Sequence, residues 1–337
     1  MYAALAVCVS LAVASPTRVP AVGERSGTVT FTIDVAAPPG ARVVKLWFPY
    51  PASSAEQTIE RLRFDGNYSS FSLAREPLSG ALYLYVQWAQ PMARRRLVVA
   101  FHARARSASA VDLVERGGEF PPEVRRYLEA SFWLPANDPA VKETAAAIVA
   151  GKRGVLARAR AIYDWTLENL RRDPAVPGCG LGKVEVTLAS RSGKCADISS
   201  VFVALARAAG IPSREVFGLL LGRRGQGDVT DGHHCWAEFH LAGAGWVPVD
   251  PAGLQKEALA RGLDARAEGA RPLRDRYFGA IDGGRIVLHR GGRGLSFPEG
   301  NAGKVNYFMY PYCEVDGRPL DYCRPRTFAY SIRFEED

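Results

Sequence analysis

Three residues of the chain have the types and the spacing of a nucleophile, a base and an acid that orients the base. Cys195 lies in the stretch SGKCADISSVFVALARAAGIPSR, and His234 and Asp250 lie in the stretch DGHHCWAEFHLAGAGWVPVDP. A thiol nucleophile needs a base beside it, and the base needs an acceptor that fixes its orientation. These side chains could carry out acyl transfer if the fold brings them together.

Cys195 lies at the predicted beginning of a helix. The apolar run 196–209 predicts a helix that ends at Gly210, so Cys195 falls in its first turn. Unpaired N–H groups and the helix dipole stabilise a thiolate there, and the N–H of Cys195 is available to an oxyanion. Gly193 lets the backbone approach a substrate closely. On these residues alone a buried, inert cysteine remains the favoured interpretation.

The base and the acid are predicted to lie on two strands joined by a hairpin. In a strand that begins near His234, residues 234, 236, 238 and 240 share one face. A turn centred on Gly243 places Asp250 opposite Trp236, one diagonal step from His234, a gap that side chains can close. A turn shifted by half a residue would put Asp250 on the wrong face. The predicted pair therefore depends on this register.

Other interpretations of the residues around His234 are less favoured. Asp231 and residues 233–235 suggest a metal site, but adjacent strand residues diverge and no paired-ligand spacing accompanies them. His240 is interpreted as a surface residue at the hairpin end, and Glu238 as a structural ion-pair or hydrogen-bond partner. A serine hydrolase is disfavoured because no GxSxG stretch lies between a strand and a helix. We therefore predict neither a metal nor a cofactor.

Around these residues the sequence predicts two structural regions. Residues 28–111 contain β-branched and aromatic runs with partial alternation between turns, which is typical of a β-sandwich. Helices then follow, one with Asp138 as its N-cap and Gly151 as its stop, and one in 155–172. A helical lobe followed by short antiparallel strands predicts an α+β fold.

The last quarter of the chain is less regular in sequence. We expect loops and short elements from residue 251 to about residue 303. The last strands are predicted within 305–315 and 327–336.

Length, charge and hydropathy limit the class of protein. The 337 residues suggest two domains. The net charge is +8, but the basic residues are scattered, and the cluster at 94–96 is interpreted as a solvated face, so no nucleic acid partner is predicted. No later run approaches 18 apolar residues, so no membrane span is predicted. Oligomeric state cannot be predicted from this sequence.

The N-terminal stretch MYAALAVCVSLAVASP predicts a secretory signal peptide at residues 1–15, with cleavage near Ala14 or Ser15. The basic segment that usually opens a signal peptide is missing. We therefore expect that the start codon is misplaced or that the signal is clipped. A lipoprotein is disfavoured because Val7 precedes Cys8. The expected location is therefore secreted or periplasmic.

The motifs resemble the bacterial branch of the transglutaminase-like superfamily. The resemblance rests on GKCADISSVFVALARAAGIPSREVFG and HHCWAEFHLAGAGWVPVDP, and it extends over residues 122–337 through PGCGLG and NYFMYPYCEVDG. It implies a papain-like fold with a nucleophile at Cys195, a base at His234 and an orienting acid at Asp250. Ile198 replaces a common aromatic residue. No EF-hand-like loop is present, so calcium dependence is not implied.

We therefore expect a transglutaminase-like catalytic domain at residues 120–337, preceded by an N-terminal β-sandwich domain at 20–115. The resemblance implies a thiol enzyme that acts on amide or peptide bonds of a protein or peptide substrate by hydrolysis, deamidation or transamidation. Two alternatives remain open: a non-catalytic periplasmic accessory or binding protein that keeps this fold, and a cysteine protease.

An oxidising compartment would permit disulfide bonds. The mature chain has five cysteines, and a free Cys195 leaves four that could form two bridges in three connectivities. The favoured pair is Cys313 with Cys323, which flank the turn EVDGRPLD. All four could instead remain reduced.

Overall fold

The computed structural model describes residues 23–38, 40–109, 113–225, 227–300, 303–321 and 328–337. The predicted signal peptide, Cys8 and Cys323 lie outside these residues. The described part of the chain is α+β, as predicted. Among its helices, none combines the length and the apolar character that crossing a bilayer requires.

The described residues form strands and helices with the following bounds. The strands are β1 (Glu24–Val35), β2 (Val44–Pro49), β3 (Gln57–Gly66), β4 (Ser70–Arg75), β5 (Leu82–Trp88), β6 (Arg95–Arg106), β7 (Ala108–Ser109), β8 (Arg171–Arg172), β9 (Ser192–Gly193), β10 (Ser213–Leu220), β11 (His233–Leu241), β12 (Gly245–Val249), β13 (Ala280–Ile281), β14 (Arg285–Arg290), β15 (Tyr312–Val315), β16 (Arg318–Pro319) and β17 (Phe328–Glu336). The helices are α1 (Pro122–Arg125), α2 (Pro139–Val149), α3 (Val155–Asn169), α4 (Val184–Ser190), α5 (Cys195–Ala208), α6 (Pro251–Ala260) and α7 (Arg271–Arg276).

Two antiparallel sheets form the predicted β-sandwich. One has the strand order β17-β1-β6-β3 and the other β16-β15-β2-β5-β4. Alternate residues of β1 are buried, among them Val29, Phe31 and Ile33. The Phe31 ring meets Phe48 of the other sheet at 4.8 Å between centroids. The alternation that predicted these strands is therefore the inward face of the sandwich.

The C-terminal strands lie in the sandwich and not in the sheet of the second region. β17 pairs with β1 along its length, and β15 pairs with β2. This differs from the predicted grouping of residues 120–337. The physical reason is that β1 would otherwise leave one edge of N–H and C=O groups unpaired, and β17 satisfies that edge. The domain boundaries 20–115 and 120–337 remain predictions.

A second antiparallel sheet and a group of helices position the candidate site. This sheet has the order β12-β11-β10-β14, and α5 packs against β11. Helix α2 begins as predicted, because Asp138 accepts hydrogen bonds from the N–H groups of Ala140 at 2.9 Å and Val141 at 3.3 Å. Helix α5 has twelve buried residues, so it forms the centre of the core.

The structure contains more regular elements than the sequence pattern predicted. β3 and β4 lie between predicted strands, and their burial alternates only partly. The region from residue 251 to 303, expected to hold loops and short elements, contains the ten-residue helix α6 and strand β14 of the central sheet. These two elements contribute directly to the site described next.

Candidate active site

The first turn of α5 is tied to the glycine-rich loop of residues 178–182 by Asp197. One carboxylate oxygen of Asp197 accepts the N–H of Lys194 at 2.9 Å, and the other accepts the N–H of Gly182 at 2.7 Å. The carbonyl of Cys179 accepts the N–H of Ala196 at 2.9 Å. The third helical residue therefore caps its own helix and also fixes the loop beside Cys195.

The predicted hairpin register is confirmed. Ala237 pairs with Val249 and Leu241 with Gly245, which centres the turn on residue 243. His234 and Asp250 consequently meet on one face, with 2.8 Å between His234 Nε2 and Asp250 Oδ2. The structure thus brings the predicted base and the predicted acid into direct contact.

Asp250 is fully buried and is held from three sides. Besides the His234 contact, its Oδ2 accepts a hydrogen bond from Arg285 at 2.6 Å, and its Oδ1 accepts the N–H of Gly253 at 2.7 Å. The last bond makes Asp250 the N-cap of α6. Burial disfavours the carboxylate, but His234 and Arg285 hold the pKa of Asp250 well below its usual range. The acid is therefore charged and fixed in orientation.

The His234 ring bridges Asp250 and Cys195. Because Nε2 bonds Asp250, the other ring nitrogen is the one left for the nearby Cys195 sulfur. Burial disfavours a charged ring, but the Asp250 carboxylate outweighs it and raises the pKa of His234. The environment favours an imidazolium paired with a thiolate.

The thiols of Cys179 and Cys235, followed by the His234 ring, hydrogen-bond the Cys195 sulfur and lower the pKa of Cys195 well below its usual value. Burial acts in the opposite direction, since the Cys195 side chain is only 2% exposed. The pKa values of Cys179 and Cys235 are raised, the first chiefly by its hydrogen bond to Cys195 and the second chiefly by burial. Cys195 is therefore the thiolate of this group.

Trp236 shields the charged groups from water. Its ring lies 6.2 Å from the His234 ring at an interplanar angle of 24°, and the Arg285 guanidinium lies 5.3 Å from its centroid. Trp236 and Arg285 are both buried. In such a low-dielectric environment the attraction between the charges is stronger than in water.

Three sulfur atoms converge at the site. The Sγ atoms of Cys179, Cys195 and Cys235 all lie within 4.8 Å of one another. The described cysteines, which include Cys313, are free thiols. Cys323, the predicted partner of Cys313, lies outside the described residues, so that bridge stays a prediction. Cys313 is enclosed in the sandwich, where its strand pairs with β2.

Two adjoining cavities border the site. One of about 500 Å³ is lined by His234, Arg285, Lys256 and Tyr277 among other residues. The second, of about 610 Å³, is lined by residues 228–232 and shares Lys256 with the first. His234 thus contributes to the wall of a cavity large enough for a peptide segment, although its side chain is only 2% exposed, and Cys195 lines neither cavity.

The other residues around the hairpin have structural environments. Glu238 is buried and pairs with Arg214 at 2.7 Å, which confirms the predicted ion pair. His240 packs edge-on against Trp246 at the hairpin end.

Sequence reasoning missed Arg285, Asp197 and the two cysteines that flank Cys195. An arginine directly before the apolar residues IVL was the available signal for Arg285.

This arrangement defines a papain-like α+β protein with a Cys, His and Asp cluster between a helix start and a hairpin. A sequence model of the transglutaminase-like superfamily matches residues 142–251. An uncharacterized protein from Haemophilus influenzae is 32% identical over 357 residues, covering 97% of this chain and 96% of that protein. The chain belongs to the transglutaminase-like superfamily.

Among solved structures, one shares this fold over most of the chain. A candidate cysteine protease from Cytophaga hutchinsonii has a TM-score of 0.58 at 14% identity, covering 93% of this chain and 98% of that one. The periplasmic domain of TgpA from Pseudomonas aeruginosa has a TM-score of 0.36 at 16% identity, covering 69% of this chain and 90% of that one. The first of these likenesses extends over both the sandwich and the helical core.

Proposed function

We propose that the protein is a secreted or periplasmic thiol enzyme that transfers acyl groups from amide or peptide bonds of a protein or peptide substrate. The observation that carries this proposal is the buried pair of His234 and Asp250, 2.8 Å apart, next to the low-pKa Cys195 thiol at the beginning of α5. A structural thiol has no need of such a pair. The proposed location rests on the predicted signal peptide alone.

In the proposed mechanism the Cys195 thiolate attacks the carbonyl carbon of the amide. The C–N bond then breaks, the leaving amine takes a proton from the His234 imidazolium, and a thioester remains on Cys195. Water or a primary amine next attacks the thioester and gives its proton to His234, the C–S bond breaks, and Cys195 leaves as the thiolate. Asp250 keeps the ring oriented and charged throughout, as the acid of a catalytic triad does.

The N–H of Cys195 is proposed to stabilise the oxyanion. As the first residue of α5 it has no intrahelical acceptor, and the positive end of the helix dipole lies beside it. The cavity beside His234 supports a peptide-sized substrate. Because Cys195 is 2% exposed, neighbouring side chains must move when the substrate carbonyl reaches the sulfur.

Alkylation by iodoacetamide tests the proposal, with Cys195 followed by mass spectrometry of its peptide. At about pH 6 a free thiol is almost entirely protonated, whereas the Cys195 thiolate persists. We expect the wild-type protein to label about tenfold faster than His234→Ala, after allowing for the lower nucleophilicity of a low-pKa thiolate. Removing the buried His234 ring opens space beside Cys195, which by itself would speed labelling, so slower labelling in His234→Ala reports the loss of the base.

The matched control is His240→Ala on the same face of β11, which we expect to label like wild type. Equal rates for wild type and His234→Ala would reject the catalytic proposal in favour of a non-catalytic accessory protein. With a glutamine-containing peptide, release of ammonia indicates deamidation, and incorporation of an added amine indicates transamidation. Cleavage of the peptide chain would identify a protease.

A further inference from the structure

The proposed mechanism uses one of the three sulfur atoms that converge at the site. Cys179 belongs to the glycine-rich loop, Cys195 begins α5 and Cys235 lies in β11, so three separate elements each contribute one thiol. All three side chains are buried. Cys179 and Cys235 favour the thiolate form of Cys195, but in that mechanism neither thiol attacks the carbonyl or transfers a proton.

A fourth sulfur lies next to the group. The Sδ atom of Met309 is 3.8 Å from the Cys235 sulfur, and Met309 is fully buried. Thiolates and thioethers together are the donors that select soft metal ions over hard ions such as Mg²⁺ or Ca²⁺. The nearby Asp197 carboxylate instead accepts backbone N–H groups of Gly182 and Lys194. The donors that converge here are therefore soft.

The spacing of the sulfur atoms fits a metal ion better than a disulfide. An ion about 2.3 Å from each of three sulfurs keeps them about 4 Å apart. The observed limit of 4.8 Å therefore requires a contraction of less than about 1 Å. A disulfide needs about 2 Å between two sulfurs and leaves the third thiol unused. Three elements that meet at one point can close on an ion by small side-chain movements.

We propose that Cys179, Cys195 and Cys235 form a binding site for one soft, thiophilic metal ion of the Cu⁺, Zn²⁺ and Cd²⁺ class. Binding forms three metal–sulfur bonds and displaces the protons of Cys179 and Cys235. The bound ion occupies the electron pair with which Cys195 would attack a carbonyl, so metal binding and acyl transfer exclude each other. This consequence rests on the proposed function, whereas the metal site itself does not. The site departs from the sequence-based expectation that no metal binds.

Titration of the reduced, full-length mature chain with Cd²⁺ tests the site. Equilibrium dialysis gives the stoichiometry, and the ultraviolet charge-transfer absorption from thiolate to Cd²⁺ reports sulfur ligation. We expect one Cd²⁺ per chain, which Mg²⁺ does not displace. Cys179→Ser and Cys235→Ser should each weaken binding by at least about tenfold, the smallest loss typical when a supporting residue of a metal site is removed.

Cys313→Ser is the matched control, because Cys313 is also a buried free thiol but lies in the sandwich. We expect it to bind Cd²⁺ like wild type, and circular dichroism checks that each variant is folded. Absence of bound Cd²⁺, or equal affinity in wild type and both cluster variants, would overturn the site. A disulfide between two of the three cysteines in protein prepared without reductant would also overturn it.

The two proposals fail separately in this experiment. Cd²⁺ binding to a chain whose Cys195 labels no faster than in His234→Ala would support the metal site and reject the enzyme. Fast labelling without Cd²⁺ binding would reject the site alone. If both stand, Cd²⁺ should block alkylation of Cys195, and a chelator should restore it.

Discussion

Arg285 determines the charge balance of the candidate site at the level of single residues. The Asp250 carboxylate faces two cationic groups, Arg285 at 2.6 Å and the His234 ring at 2.8 Å. Desolvation alone would raise the pKa of a buried carboxyl group, yet the pKa of Asp250 is lowered. Arg285 therefore allows Asp250 to remain charged while it orients His234.

Arg285→Met tests this role. The substitution keeps most of the side-chain volume but removes the cation from a fully buried pair, which we expect to lower the free energy of unfolding by about 3–5 kcal/mol. Urea unfolding measures the change. Arg285→Lys, which retains a charge without the planar guanidinium, should lose less. Unchanged stability in Arg285→Met would show that Asp250 does not depend on this partner.

The same substitution should change the response to acid. A carboxyl group with a lowered folded pKa contributes stability above its unfolded pKa, near 3.8 for Asp250, and this contribution is lost as the pH falls through the folded value. Without Arg285 the folded pKa of Asp250 rises. The acid loss of stability in Arg285→Met should therefore begin at a higher pH than in wild type.

Sequence alone predicted part of this site. Cys195, His234 and Asp250 could be related because helix position and hairpin register are local properties. Arg285 could not, since it reaches Asp250 from β14, 35 residues further along the chain. Such a contact depends on the order of strands in the sheet, which periodicity does not determine.

At the level of elements, the beginning of α5 depends on a close approach between Gly180 and Asp197. Gly180 has a φ of +90°, and a Cβ atom there would lie 1.9 Å from an Asp197 oxygen. The Tyr307 hydroxyl also donates to the Gly180 carbonyl at 2.6 Å. A side chain at this position would push Asp197 away from the loop and from the helix start.

Gly180→Ala should therefore destabilise the protein and slow the labelling of Cys195. Gly210→Ala is the matched control, because Gly210 lies at the other end of α5 with a φ of +77° and has open space around its Cα. Both variants incur the backbone strain of about 1–3 kcal/mol. Only Gly180→Ala also loses hydrogen bonds to a charged group, each about 1.5–3 kcal/mol. Equal unfolding midpoints in urea would contradict the role of Asp197.

The sequence predicted some strands and helices better than others. The alternation in β1 and the Asp138 cap of α2 have direct local signals. β3 has the sequence QTIERLRFDG, in which charged residues interrupt the pattern and five of ten positions are exposed. β3 is an edge strand with one solvent-exposed face, so its apolar residues alternate less regularly. The pairing of β3 with β6 could therefore not be predicted.

For the whole molecule, β17 links the sandwich to the segment that leads into the site. The backbone of Ile332 accepts the N–H of Val229 and donates to the Thr230 hydroxyl, each at 2.9 Å. The N–H of Phe334 bonds the carbonyl of Gly227 at 2.8 Å. The turn Thr230–Gly232 then leads directly to His233. The C-terminal strand therefore supports both the β1 edge and the approach to His234.

Ile332→Ala tests whether the sandwich and the site unfold together. Ile332 is fully buried, so its truncation should cost about 2–5 kcal/mol. Urea unfolding is followed by far-ultraviolet circular dichroism and, in parallel, by alkylation of Cys195. Because β17 is bonded to both regions, we expect both midpoints to fall together, as in a single cooperative transition.

Ser331→Ala, at the exposed neighbouring position of β17, should leave both midpoints of this unfolding experiment within about 0.5 kcal/mol of wild type. The opposite result is two separate transitions in Ile332→Ala, in which strand structure is lost while Cys195 stays protected. That result would mean that residues 227–232 hold their conformation without β17. Coincident transitions would instead mean that the site does not persist once β17 has separated from β1. In that case β17 stabilises the geometry of His234.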